Sequence, residues 1–371
     1  MTPLGRRLAA EIAAAGPISV ARYMAACLGD PLHGYYATRD PFGPQGDFVT
    51  APEISQMFGE LIGLWCAEAW MRLGSPAVLR LVELGPGRGT LMADALRAAR
   101  ALPPFRAALD VRLVETSPTL RARQEAALAG VGVPVAWASD VDEIPPGPAL
   151  VIANEFFDAL PIRQFVKVQD GWRERLVGLA EGDDPAALRF GLAPEPEPML
   201  ADAPGEPGAV LEVGEAGLDI ARRLAERFAA TGGAALAIDY GHARPGFGDT
   251  LQAVRAHAYA DPLAEPGEAD LTAHVDFAAL GRVARKAGAV VHGPVTQGAF
   301  LRGLGLAERA AALKRGAAPP VAAAVDAAAA RLAGGGDGMG ELFKVLAFGS
   351  PGMGPLPGFG LPGIDTGGPH P

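Results

Sequence analysis

Residues 83–89 read Glu83-Leu84-Gly85-Pro86-Gly87-Arg88-Gly89. An apolar run at 78–84 leads into them with the composition of a strand, and residues 90–101 follow with apolar positions at helical spacing. Glycines are needed where a chain turns sharply and its backbone approaches a ligand. The helix behind such a turn presents unpaired N–H groups and a partial positive charge. A bare Gly-x-Gly-x-Gly is a weak signal; here the flanks are those of a strand–loop–helix unit. The next strand, 109–114, is followed by Glu115, a carboxylate placed to accept hydrogen bonds from both hydroxyls of a ribose. The alternative is a structural turn with no ligand.

Working outward, apolar runs at 133–137, 149–153, 234–238, 290–295 and 343–348 read as further strands, with a helix over 217–230. Strands alternating with helices predict an α/β fold: a doubly wound, mostly parallel seven-stranded sheet with an antiparallel strand near the end. The stretch 164–213 breaks the rhythm and reads as a β-rich insertion. In it, 164–168 and 173–177 flank a hairpin turn at Asp170-Gly171, and the Pro/Glu-rich 193–207 reads as a flexible loop. Residues 1–75 read as an N-terminal helical segment, including a helix over 1–16 and one capped by Ser19. Thr50 with Glu53 predicts a capping box, with Pro52 in the first turn. The main domain is then 76–348, with an Ala-rich helical segment over 300–333 broken at Pro319-Pro320, and 349–371 a disordered Pro/Gly-rich tail. The N-terminal segment and the insertion are expected to form a lid or substrate-binding subdomain.

The 371-residue chain is 49% hydrophobic and carries a formal net charge of -10, which disfavours a nucleic-acid backbone as partner. Its two cysteines, Cys27 and Cys66, lie in apolar helical patterns and read as buried thiols. No His/Cys cluster has metal-ligand spacing, so no metal is expected. No apolar stretch of about 18 residues appears, so no membrane insertion is expected. The first 16 residues lack a signal-peptide pattern, which makes the cytoplasm the expected compartment. Oligomeric state is not legible.

A dinucleotide fingerprint wants a third glycine at position 90, where Thr90 stands. Glu83 two residues before the first glycine instead resembles the opening motif of class I S-adenosylmethionine-dependent methyltransferases. That resemblance implies that Gly85, Pro86, Gly87 and Gly89 approach the methionine part of the cofactor and that Glu83 holds its amino end. Glu115 lies 30 residues after Gly85, with 101–107 read as an extra loop. Further motifs are Gly34-Tyr35-Tyr36, Gly46-Asp47-Phe48-Val49-Thr50-Ala51-Pro52-Glu53-Ile54-Ser55, Asn154-Glu155-Phe156-Phe157-Asp158-Ala159-Leu160-Pro161, Asp239-Tyr240-Gly241 and Thr272-Ala273-His274-Val275-Asp276-Phe277. Together they resemble the methyltransferases related to mitochondrial dysfunction protein A, whose animal members are complex I assembly factors. The resemblance covers residues from about 16 to 348. It implies S-adenosylmethionine as cofactor, with Asn154, Thr50 and Pro52 beside it. It also implies methylation of a protein arginine, for mitochondrial members on a subunit of the NADH dehydrogenase complex. Because the chain shows no Arg/Ser-rich transit segment, a bacterial cytoplasmic member is expected.

A guanidinium is always protonated in water, so its methylation needs carboxylates that orient it and stabilise its charge. Glu155 and Asp158 follow the fourth strand at the edge of the sheet where ligands bind. Glu155 is the expected clamp, Asp158 the second acid, and Phe156 or Phe157 a pocket wall. The alternative makes Asp158 a helix cap and both rings core. Asp239 either orients substrate or caps a loop, and His274 is either structural or a proton acceptor. Two rivals remain: a non-catalytic assembly protein on a methyltransferase fold, and a small-molecule methyltransferase. A nicotinamide oxidoreductase is disfavoured by Thr90 and Glu83.

Overall fold

The computed structural model describes residues 2–38, 50–182, 186–336 and 338–360. Seven strands form the central sheet: β1 (Leu79–Leu84), β2 (Leu109–Val114), β3 (Val135–Ala138), β4 (Ala149–Asn154), β5 (Gly233–His242), β6 (Val290–Thr296) and β7 (Phe343–Gly349). Their spatial order is β6-β7-β5-β4-β1-β2-β3. All neighbouring pairs are parallel except those of β7, which runs antiparallel to β5 and β6. The expected sheet is therefore present, with a two-residue pairing of Val275–Asp276 added at the end of β5.

Register explains where chemistry gathers. Leu84 pairs with Val114 on one side and Ala153 on the other, while Ile238 pairs with Asn154. The residues that follow, Gly85, Glu115, Glu155 and Asp239, emerge level at one edge. Strand order reverses between β1 and β4, the place where open α/β sheets bind ligands. Both faces of β1 and β4 are buried, in keeping with their near-continuous apolar runs. One apolar layer joins Phe58, Ile62 and Trp65 of the helix Gln56–Arg72 to Leu81, Leu150 and Leu236. The other joins Leu224 and Phe228 of the helix Glu215–Thr231 to Val82, Val151 and Ala235.

A third core lies outside the sheet. The helices Pro3–Ala15 and Val20–Gly29 bring Leu4, Leu8, Tyr23 and Met24 against Ile162, Val177, Ala253 and Leu271. Ile18–Ser19 pairs with Val177 and Leu176, so the N-terminal segment shares a five-stranded sheet with the insertion strands Arg163–Val168, Gly171–Leu179, Leu188–Leu192 and Val210–Val213. A second small sheet, Gln252–Arg255, Ala258–Ala260 and Asp270–Thr272, has no counterpart in the sequence reading; its runs are too short and too polar for a periodicity signal.

Several expectations are corrected. Val168 pairs with Gly171, so the hairpin turn is Gln169-Asp170, one residue earlier than expected, and Gly171 closes it at φ 143°. Residues 193–207, expected as a flexible loop, wrap the buried Trp172: Glu197 donates its N–H to the Trp172 carbonyl at 2.7 Å, and the indole N–H donates to Ala203 at 3.1 Å. Residues 101–107, expected as a loop, carry all but the last residue of the helix Pro103–Ala108. Pro319-Pro320 begins the helix Pro319–Ala333, where missing N–H groups cost nothing, and the breaks fall before it. Residues 350–360, expected as disordered, bury Met353 and Leu356 and set Phe359 against Phe300 at 5.3 Å; residues 361–371 lie outside the described residues.

Candidate functional site

A cavity of about 880 Å³ opens at the carboxyl edge of β1 and β4. Of the residues singled out from sequence, it is lined by Glu83, Gly85, Pro86, Gly87, Glu115, Asn154, Glu155 and Asp158, and by Thr50 and Pro52 from the N-terminal segment. Gly89 and Asp239 do not line it.

The glycine loop is shaped as its composition requires. Gly85, Gly87 and Gly89 hold φ values of 59°, 54° and 83°, the left-handed region that costs other residues about 1–2 kcal/mol. A Cβ on Gly85 would also sit 2.9 Å from the Phe156 ring. Gly89 is the N-cap of the helix Thr90–Ala98 and faces Gln124 on the neighbouring helix, away from the cavity.

Two acceptors at this end are buried and unpaired among the described residues: Glu83 Oε2 and Asn154 Oδ1. Burial alone lifts the Glu83 carboxyl to about 8. Glu115 is held differently, accepting the Ser117 N–H at 2.8 Å and the Gln124 side chain at 3.1 Å, with burial raising it above the usual range. Gln124, fully buried, also donates to the Gly87 carbonyl at 2.8 Å and accepts from the Trp137 indole at 2.8 Å. One amide thereby fixes the glycine loop relative to Glu115. Sequence reading missed it, although Leu120 four residues earlier puts position 124 on the buried face of the helix Pro118–Ala127.

The 50–54 segment is not the capping box the sequence suggested. Thr50 is the N-cap of Ala51–Ile54 but its side chain makes no cap bond. Glu53 instead accepts from the Thr90 hydroxyl at 2.6 Å and lies 3.9 Å from Arg88. Ser55 caps the long helix that follows, accepting the Met57 N–H. Of the motif 46–55, residues 46–49 lie outside the described residues.

Beyond β4 the backbone of Glu155 takes a left-handed φ of 49°, a strained choice for a residue with a Cβ. Its Oε1 accepts the Ala51 N–H at 3.0 Å and the Asn154 amide at 3.1 Å, and burial lifts the carboxyl to about 7. Asp158 is buried and raised to about 6 by desolvation, against the Tyr240 hydroxyl that donates to it. Asp239 turns out to be the loop cap. Its Oδ2 accepts the N–H groups of Phe156, Phe157 and Asp158 at 3.1, 3.0 and 3.2 Å, and its Oδ1 that of Tyr240 at 3.0 Å. It holds the turn that carries Glu155 and Asp158 without reaching the cavity. Phe157 is core and Phe156 lines the cavity. His274 also lines it, its ring edge-on to Tyr240 at 5.4 Å and its basicity lowered by burial. Among the described residues no group of His, Cys, Asp or Glu could hold a metal, and no helix is long and apolar enough to cross a membrane.

Strand order, glycine loop and a carboxylate after β2 define the class I methyltransferase architecture. Residues 61–295 match the model of a family of S-adenosyl-L-methionine-dependent methyltransferases, and the chain belongs to that family. It is 41% identical over 330 residues to the zebrafish (Danio rerio) mitochondrial protein arginine methyltransferase NDUFAF7, covering 82% of this chain and 77% of the relative. The human (Homo sapiens) protein of that name is 41% identical over 333 residues, covering 82% and 74%. A crystal structure of a COG1565 superfamily member from Burkholderia thailandensis bound to S-adenosyl-homocysteine superposes with a TM-score of 0.82 at 32% identity, covering 96% of this chain and 93% of that one. The cofactor is S-adenosylmethionine. The residues present suit it: a glycine cradle, an acid after β2 with lone pairs to spare, and two unpaired acceptors, Glu83 Oε2 and Asn154 Oδ1, that match an ammonium with three donors. The expected bacterial cytoplasmic placement is overturned, because the curated relatives matched are mitochondrial proteins of animals.

Proposed function

We propose that this enzyme methylates an arginine side chain of a protein substrate. The observation that carries the reading is the pair of carboxylates, Glu155 and Asp158, presented by one strained turn to the same cavity as the glycine loop. Bound at that loop, the cofactor supplies an electrophilic methyl on a sulfonium. Glu83 and Asn154 would take its amino end, Glu115 its ribose, and Thr50 and Pro52 would cover it. Glu155 orients the guanidinium and draws positive charge onto the nitrogens it pairs with, which leaves the third nitrogen a better nucleophile. Asp158, whose carboxyl is raised to about 6 and is held by Tyr240, takes the proton released after transfer.

The relatives are named as protein arginine methyltransferases, which supports arginine as the acceptor. We take a subunit of the NADH dehydrogenase complex as the substrate, on the family resemblance. A calorimetric titration with S-adenosylhomocysteine, beside NADH and repeated on Gly87→Val, tests the cofactor half. Micromolar binding of the first alone, lost in the variant whose β-branched side chain opposes φ 54°, is expected. Binding of NADH would overturn the reading. Incubation of the enzyme with that complex and labelled cofactor tests the acceptor half, and label recovered outside arginine would overturn it.

A further inference from the structure

Neighbouring side chains along a strand point to opposite faces. At the end of β4 two of them meet instead: the Asn154 amide donates to Glu155 Oε1 at 3.1 Å. The left-handed backbone of Glu155, φ 49°, is where the chain departs from strand geometry. Asn154 is 8% exposed, stands in register with Ile238 of β5 and lines the same cavity as the glycine loop. Its Nδ2 is committed to Glu155, while its Oδ1 is buried and unpaired among the described residues. Glu155 is divided in the same way. Its Oε1 accepts both the Asn154 amide and the Ala51 N–H, the latter at 3.0 Å, and its Oε2 accepts from no donor among the described residues. An amide and a carboxylate therefore stand in series, with one open acceptor at the outer end of each.

Resting on S-adenosylmethionine at the glycine loop and arginine as the acceptor, we propose that Asn154 is a positioning residue that couples the two half-sites, so that the amino end of the cofactor tightens the hold of Glu155 on the guanidinium. An ammonium on Oδ1 gives that oxygen the partner it lacks and polarises the amide, which strengthens Nδ2 as a donor. An amide paired at both ends no longer turns over, so the donor to Oε1 stays in place. The carboxylate is then held in one orientation, with Oε2 left for the guanidinium. Asn154 touches neither the methyl group nor the nitrogen that receives it; it acts through Glu155. Such coupling is reciprocal, so bound arginine tightens the cofactor by the same factor.

The test is a binding titration of the full chain with Nα-acetyl-arginine methylamide under three conditions: no nucleoside, saturating S-adenosylhomocysteine, and saturating 5′-methylthioadenosine. The last keeps the adenosine and the sulfur but has no amino end. S-adenosylhomocysteine is expected to tighten the arginine probe about fivefold or more, and 5′-methylthioadenosine about twofold or less. Asn154→Leu, close in size and without polar side-chain atoms, should abolish the difference between the two nucleosides, and Asn154→Ala serves if Asn154→Leu does not fold. A merely structural role for Asn154 would weaken the ligands without moving that difference. No tightening by S-adenosylhomocysteine in the wild type, equal tightening by both nucleosides, or a difference that survives in a folded Asn154 variant would overturn the inference while leaving arginine as acceptor. A wild type that binds the probe under none of the three conditions would overturn the arginine reading, and one that does not bind S-adenosylhomocysteine the cofactor reading, each taking the inference with it.

Discussion

Glu83 is the side chain whose ionisation the cofactor should govern. Its carboxyl, buried with Oε2 unpaired, sits near 8 against an ordinary 4.5. At pH 7 the free protein therefore holds a proton there, and an ammonium brought against Glu83 favours the carboxylate and expels it. Binding of S-adenosylhomocysteine at pH 7 should release a proton, seen as an enthalpy that varies with the ionisation enthalpy of the buffer, and Glu83→Gln should abolish that variation. A folded-state value above the unfolded one also means that Glu83 favours folding at low pH and loses that contribution as pH rises through about 8. The ligand-free melting temperature should fall between pH 6 and pH 9, less so in Glu83→Gln. Glu155 and Asp158 give the complementary sign. Both must be ionised to meet a guanidinium, and burial holds them near 7 and 6. For an arginine substrate, kcat/KM should drop as pH falls through about 7, and Glu155→Gln should cut turnover by two orders of magnitude or more while the cofactor analogue still binds. These residues were legible because their motifs follow strands. Asp239 was open between two roles, because a carboxylate after a strand looks the same whether it meets ligand or four backbone N–H groups.

At the scale of elements, the turn 155–158 is held by Asp239 from β5. Removing that carboxylate strands three N–H donors in the turn, two of them buried. Asp239→Ala should cost on the order of 3 kcal/mol, read as a lowered denaturation midpoint, and should also disable the turn that presents Glu155. Gln124 plays the same part for the glycine loop. Gln124→Ala removes the two bonds that tie the glycine loop to Glu115 and should weaken S-adenosylhomocysteine binding about tenfold. The central strands and the strand–loop–helix unit were readable because buried parallel strands are continuous apolar runs bounded by turn residues. The sheet at 252–272 was not, because pairing across short polar strands is a tertiary event. The capping box failed for a related reason: Glu53 found better partners in Thr90 and Arg88, 37 and 35 residues away in sequence.

At the scale of the whole molecule, the N-terminal segment and the insertion share one core, and the N-terminal segment lines the cavity together with the small sheet at 252–272. Leu8 is fully buried in that core. Leu8→Ala should destabilise by about 2–5 kcal/mol and raise KM for a protein substrate more than it weakens cofactor binding, because the cofactor end rests on the central sheet. Methyl transfer to arginine is tested by following the methyl group. The enzyme is incubated with methyl-labelled S-adenosylmethionine and the NADH dehydrogenase complex, the protein is hydrolysed, and the labelled amino acid is identified by mass spectrometry. Labelled methylarginine is expected with the wild type and none with Glu155→Gln. Label on lysine, on a small molecule, or on nothing while the cofactor binds would contradict it.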